Sequence, residues 1–291
     1  MNQCLTSLSD LRGLLGVALF MVLACIDSNS SCDAQDFRIY TCVQRLSSAN
    51  NAQTSEVVAR SLTLFHAGKS YDYMDDVGEL IVFEPALERF TILHGKLMKV
   101  TTVEFAQLKQ FLRVAETETQ KCLTEMTRIN EAKATIERDF LLIQLKPDFD
   151  EQWDSNKQEL VLKSAPLTYK VKCAEKVQPE FVKAYLSYAD WMAQLNSILH
   201  PQTLMPGPRI ALNAALRKQQ KIPVSVELES DVQLGIHLKA DHNIRWELDT
   251  IDRSRITDWE RLILNPQVET ISFHNYQRLW MTSQGMTTSE K

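Results

Sequence analysis

Glycine and proline are both scarce in this chain of 291 residues, eight and nine respectively. That excludes long low-complexity linkers and points to a chain folded along most of its length. There is no dense Lys/Arg run, and a formal charge of −5 with a pI near 5.8 argues against a general nucleic-acid binder, which needs a basic face. Metal-site spacing is missing as well: His66, His94, His200, His237, His242 and His274 form no HxxxH, HExxH or HxH. Nothing of the GxSxG or SxxK kind marks a nucleophile, and no GxGxxG or GxxxxGKS/T marks a phosphate cradle. CxxC is absent too, so neither a redox pair nor a zinc ribbon is supported. No cofactor is therefore expected. Asp75-Asp76 with Glu79 lacks the DxDxDG spacing of a calcium loop and reads as a solvated turn.

What is present begins with a 13-residue apolar run at 14–26, LLGVALFMVLACI. This is the length of a signal-peptide core and short for a membrane span. Arg12 precedes it, with Asp10 weakening the positive end; residues 27–34 (DSNSSCDA) are small and polar, and Cys32 and Ala34 occupy the −3 and −1 positions of a cut before Gln35. The expectation is a cleaved signal peptide, 1–34, and a secreted or periplasmic protein. An uncleaved anchor is one alternative. Another is the run Val22-Leu23-Ala24-Cys25, which resembles a bacterial lipobox with Cys25 lipidated, although Leu23 fits that pattern poorly. Membrane contact is expected only through such a segment. Cys4, Cys25 and Cys32 would leave with the leader, so Cys42, Cys122 and Cys173 allow at most one internal disulfide. Buried, unpaired cysteines are the simplest reading.

The remainder, 35–291, reads as a single α+β domain: strand-rich over 36–102, helical over 103–145 and mixed over 158–291. In the first block, short alternating runs at 36–43, 56–66, 70–74, 79–84, 89–93 and 97–102 are separated by Gly- or Pro-containing turns. Connections this short require antiparallel neighbours. Over 103–145, Phe105, Leu112, Met126 and Phe140 share one heptad position, and Leu108, Ala115, Cys122, Ile129, Ile136 and Ile143 another. That stripe suits a long helix packed on its own sheet, or a coiled-coil partner helix; Glu116-Thr-Glu-Thr could break it in two. A strand pair at 159–164 and 167–173, helices at 179–199 and 209–220, and short helices at 256–264 and 270–280 follow. Between them, alternation at Val232, Leu234, Ile236 and Leu238, then Ile244, Trp246 and Leu248, suggests a hairpin turning at Asp241-His242-Asn243. Together these predict a curved, mostly antiparallel sheet of about eight to eleven strands covered by long helices.

The hairpin register would set His237 opposite Glu247, the best acid–base pair on offer, since cross-strand neighbours lie within reach. A surface ion pair on a sheet is the commoner arrangement. Trp191, Trp246, Trp259 and Trp280 with Tyr185 and Tyr188 could line an apolar pocket, although such residues at this spacing usually fill a core. The candidate binding residues are thus Trp191, Trp246, Tyr188, His237 and Glu247, with no catalytic or metal residue.

Two resemblances bear on the rest. QDFRIYT after Ala34, RSLTLFHAGKSYDY, ELIVFEPALERFTIL, LTYKV, YADWMAQLNSILHP, PRIALNAALR, DRSRITDWERL and FHNYQRLW are similar to stretches of uncharacterised exported proteins of planctomycete bacteria. That likeness implies export and a cut before Gln35, and brings no activity or site. More locally, AGKSYDYMDDVGELIVFEPALERFTI resembles strand–turn–strand segments of periplasmic lipoprotein carriers of the LolA/LolB type. It implies a half-open antiparallel barrel holding an apolar ligand. The chain departs from that pattern in its long helical region and in lacking an N-terminal helix on the sheet. The leading expectation is a non-enzymatic exported protein binding an apolar ligand, a lipid or a lipoprotein, in the sheet's concavity. An envelope assembly subunit acting through the 103–145 helices, or a hydrolase with a site gathered from distant residues, are the alternatives.

Overall fold

The computed structural model describes residues 36–49, 52–127, 132–200, 203–230 and 235–283. The expected leader and its cleavage site lie outside them. The alternating N-terminal block forms β1 (Phe37–Ala49), β2 (Ala52–His66), β3 (Lys69–Met74), β4 (Glu79–Glu84), β5 (Arg89–His94) and β6 (Lys99–Glu104), each antiparallel to the next. The β2–β3 turn takes left-handed backbone at Ala67 (φ 50°) and Gly68 (φ 74°), a conformation glycine adopts without steric cost. Single 3-10 turns at Pro85–Leu87 and Gly95–Leu97 close the β4–β5 and β5–β6 hairpins.

Then come α1 (Phe105–Met126) and α2 (Ala132–Leu145), followed by β7 (Asp150–Asp154), β8 (Glu159–Lys163) and β9 (Leu167–Cys173). Next are α3 (Pro179–Leu199), α4 (Gly207–Gln219), β10 (Pro223–Ser230), β11 (His237–Arg245), α5 (Thr250–Ile263), β12 (Glu269–Thr270) and α6 (Phe273–Ser283). β11 pairs with β1 on one side and β10 on the other, so strands from both ends of the chain share one twelve-stranded sheet, ordered β12-β6-β5-β4-β3-β2-β1-β11-β10-β9-β8-β7. Every pairing is antiparallel except β12 with β6. The fold is α+β, a mostly antiparallel open sheet with helices packed on it.

Period-two alternation assigns the two faces. Phe37 and Ile39 of β1, Phe65 of β2, Ile81 and Phe83 of β4, Phe90 and Ile92 of β5, and Tyr169 and Val171 of β9 enter the main core. Its helical cover comes chiefly from α3, through Val182, Tyr185, Leu186, Ala189, Met192 and Leu195, with Phe105, Leu108 and Leu112 of α1 beside it. The opposite face presents Leu62, Leu64, Tyr71, Leu80, Val82 and Leu93 to Ile256 and Trp259 of α5. Asp249 starts α5 with a reciprocal capping box to Asp252. Arg38 Nη1 anchors that helix end to β1 by bonding Asp252 Oδ1 at 2.9 Å. Among the described residues no helix is long and apolar enough to cross a membrane.

Three sequence expectations are corrected. The helical region does not break at Glu116–Thr119, because the Thr117 and Thr119 hydroxyls bond the carbonyls of Arg113 and Ala115 within one continuous helix. β7 forms where none was expected. And 241–243 is not a turn: it lies inside β11, with Asp241 bonded to Ser225 and His242 to Thr41 on the flanking strands. The chain reverses instead between β10 and β11, where 231–234, including Val232 and Leu234, lie outside the described residues. The three cysteines in the described residues are unpaired, but only Cys173 is buried; Cys42 is half-buried and Cys122 exposed.

Candidate functional site

The main-core face is apolar over most of its area, yet one patch is polar. Strand register brings together Thr41 on β1, Ser61 and Thr63 on β2, Asp72 on β3 and His242 on β11. Over them lies one face of α3, spaced i, i+3, i+4, i+7, i+8 and i+11: Tyr185, Tyr188, Ala189, Met192, Ala193 and Asn196. Arg209, in the first turn of α4, closes the space. The cavity so formed is half-open and about 280 Å³ in volume.

Its two ends differ chemically. At one, the Asp72 carboxylate accepts a hydrogen bond from Thr63 Oγ1 at 2.9 Å. Burial pushes its pKa up, while hydrogen bonds from Tyr188, Thr63 and Ser61 pull it back. Burial, with the Asp72 carboxyl facing it, holds the Tyr188 phenol well above its ordinary pKa, so it stays protonated. At the other end, Arg209 Nη2 donates to Tyr185 OH at 3.1 Å. Among the described residues no carboxylate lies within 4.0 Å of the Arg209 guanidinium. Beside it, His242 Nδ1 lies 2.9 Å from Thr41 Oγ1 while Nε2 has no partner. Burial, then the charge of Arg209, hold the His242 pKa down to about 4. The ring is neutral at pH 7, and Nε2 is the ring nitrogen left without a partner. A guanidinium and an unpartnered imidazole nitrogen thus share one end of the cavity.

A second buried polar cluster lies further along the same face. Glu79 of β4 accepts a hydrogen bond from Tyr276 OH of α6 at 2.7 Å, and its other oxygen is 3.7 Å from His200 Nε2 beyond α3. Desolvation, against the Tyr276 bond and with some repulsion from Asp72, pushes the Glu79 pKa up to about 7. Burial pulls His200 down to about 4. Glu79 Oε1, His200 Nδ1 and the neighbouring His94 Nδ1 have no hydrogen-bond partner.

Of the aromatic residues singled out from the sequence, Tyr185 and Tyr188 line the cavity. Trp191 stacks on Phe105 with ring centroids 3.7 Å apart and carries Lys109 Nζ 5.3 Å from its ring. Trp246 lies past the end of β11 against Phe37 and Phe181, and is 40% exposed. His237 Nε2 is 2.7 Å from Glu227 Oε1 of β10, not beside Glu247, which lies exposed beyond the strand. The expected pair is therefore replaced by another, because the reversal it assumed does not exist. Trp280 packs on His200, and Trp259 serves the opposite face. Asp75 and Asp76 are exposed, whereas Glu79 is buried.

Sequence reading missed Asp72, Arg209 and His242. For Asp72 a signal existed: in KSYDYM the tyrosines take one face and Ser70, Asp72 and Met74 the other, so a strand buried on both faces must bury the acid. His242 was hidden by the assumed turn. No protein-family model matches the chain, and no curated protein matches it significantly.

Proposed function

We propose that this chain is a non-enzymatic binding protein that holds the anionic head of a ligand in the cavity beneath α3, and that it works outside the cytoplasm. The observation that carries the reading is Arg209: a cation lining a polar cavity with a tyrosine hydroxyl, but no carboxylate, in contact. Arg209 is half-buried, and a partly desolvated guanidinium without an ion-pair partner favours an incoming carboxylate or phosphate, which would supply what the fold withholds. His242 lies at the same end, its Nε2 without a partner. Binding is favoured over catalysis because the titratable groups are held far from neutral working values: Tyr188 stays protonated, and His242, at about 4, is a weak base. At about 280 Å³ the space is just below the usual range of ligand pockets, roughly 300–1,000 Å³. A small acid fits whole; a long acyl chain behind the same head would require α3 to shift. Export rests on the apolar run at 14–26 and the resemblance to exported proteins.

Calorimetric titration with succinate, inorganic phosphate and palmitate tests the head-group reading and separates small acids from lipids. Saturable binding of at least one is expected, weakened about tenfold or more in Arg209→Gln, the loss of one charge-assisted hydrogen bond. Binding of none of the three, or binding unchanged by that substitution, would falsify it. Export is tested separately by the N-terminus of natively produced protein: Gln35 supports it, and Met1 on cytosolic material rejects it.

A further inference from the structure

The opposite face of the sheet carries an unrelated concentration of chemistry. Tyr40 of β1, Leu62 of β2 and Tyr73 of β3 sit in one register row and form a floor beside α5. Arg38 lies one step along the strands on one side of that row and Arg60 on the other, each about 7 Å away by strand rise. Arg255 and Trp259, four residues apart on α5, make the wall. The groove so enclosed is about 430 Å³. Three guanidiniums line it against a single carboxylate, Asp75.

These arginines are not fully used by the fold. Arg38 spends one nitrogen, Nη1, on both oxygens of Asp252, at 2.9 and 3.2 Å. Arg60 has Asp76 only at 4.0 Å. Among the described residues, Arg255 has no carboxylate within 4.0 Å. Nor are the aromatics fully used: Tyr40 stands 39% exposed on a sheet face, and Trp259 meets Tyr73 at 5.3 Å with planes 33° apart, both rings lining the groove.

We propose that this groove is a second binding site, taking a ring-bearing organic anion whose ring lies against Tyr40 and the Tyr73–Trp259 corner while its phosphate or carboxylate is gripped by Arg60 and Arg255. Aromatic faces reward a flat or apolar ring surface, and guanidiniums match such anions with paired hydrogen bonds. An inorganic anion would leave the aromatic floor bare, and an uncharged ring would leave the arginines unanswered. The groove and the α3 cavity lie on different faces of the sheet, so neither proposal depends on the other.

The test is titration of the whole protein with phenyl phosphate, AMP and glucose 6-phosphate, beside inorganic phosphate and adenosine alone, followed by calorimetry and tryptophan fluorescence. At least one ring phosphate is expected to bind about tenfold tighter than phosphate or adenosine. Which one does so distinguishes an aromatic from a saccharide ring. Arg255→Ala and Tyr40→Ala, both at exposed positions and so expected to leave the fold intact, should each weaken it several-fold. Ring phosphates that bind no better than phosphate, or affinities untouched by both substitutions, would overturn the proposal.

Discussion

Glu79 shows what one buried carboxyl does to the energetics of a whole domain. In the unfolded chain it titrates near 4.5, and in the folded one near 7. Between those values the folded protein keeps a proton that the unfolded chain has released. Stability from this group is therefore fully present below about 4.5 and is lost as pH rises through about 7. The loss amounts to about 3 kcal/mol, at about 1.4 kcal/mol per pH unit of difference. His200 and His242 act in the opposite sense: both fall from 6.5 to about 4, so their contribution is present above 6.5 and is lost as pH falls through 4. Replacing Glu79 by Gln isolates its share, because the amide can still accept from Tyr276. Urea unfolding at pH 5 and pH 8 should show wild type losing about 2.5 kcal/mol relative to Glu79→Gln over that interval. An identical pH slope in the two proteins would mean that Glu79 is ionised in the folded state throughout.

Elements were legible in the sequence wherever their local signals agreed with the packing. Strands β2 to β6 and helix α3 match their expected spans closely, because alternation, turns and apolar spacing all pointed the same way. β11 was misread because Asp241-His242-Asn243 has the composition of a turn. Asp241 and His242 find partners in Ser225 and Thr41 on neighbouring strands, and that information is tertiary. The cavity was illegible for the same reason: Asp72, Arg209 and His242 come from β3, α4 and β11, and only the strand order places them together. Gly207, in the run Pro206-Gly207-Pro208, is a further case. A Cβ there would come within 2.2 Å of the Gln144 carbonyl oxygen, backbone that cannot swing aside. Gly207→Ala should force the start of α4 away from the end of α2 and lower stability by about 1–3 kcal/mol, an overpacking cost readable from the denaturation midpoint. It should also weaken ligand binding at Arg209, two residues on, by more than the same stability loss introduced at a distant position.

At the scale of the whole molecule, the two apolar clusters lie on opposite faces of the same strands. Leu62 and Leu64 belong to one and Phe65 to the other, all within β2; Leu80 and Val82 alternate in the same way with Ile81 and Phe83 in β4. Neither cluster can come apart while those strands keep both sets of side chains packed. α5 therefore has no core of its own to retreat to, and α3 cannot hold a sheet that α5 has left. One cooperative unfolding transition is expected, not a sequence of two. Trp191, stacked on Phe105 in the main core, and Trp259, beside Tyr73 on the other face, report the two sides separately. In variants that keep only one of these tryptophans, with the remaining ones replaced by phenylalanine, each reporter should change at the same urea concentration as the variant's own far-ultraviolet circular dichroism. A Trp259 signal that moves well before the circular dichroism would show that α5 peels off independently, and that the face carrying the arginine groove is stabilised apart from the one carrying the cavity.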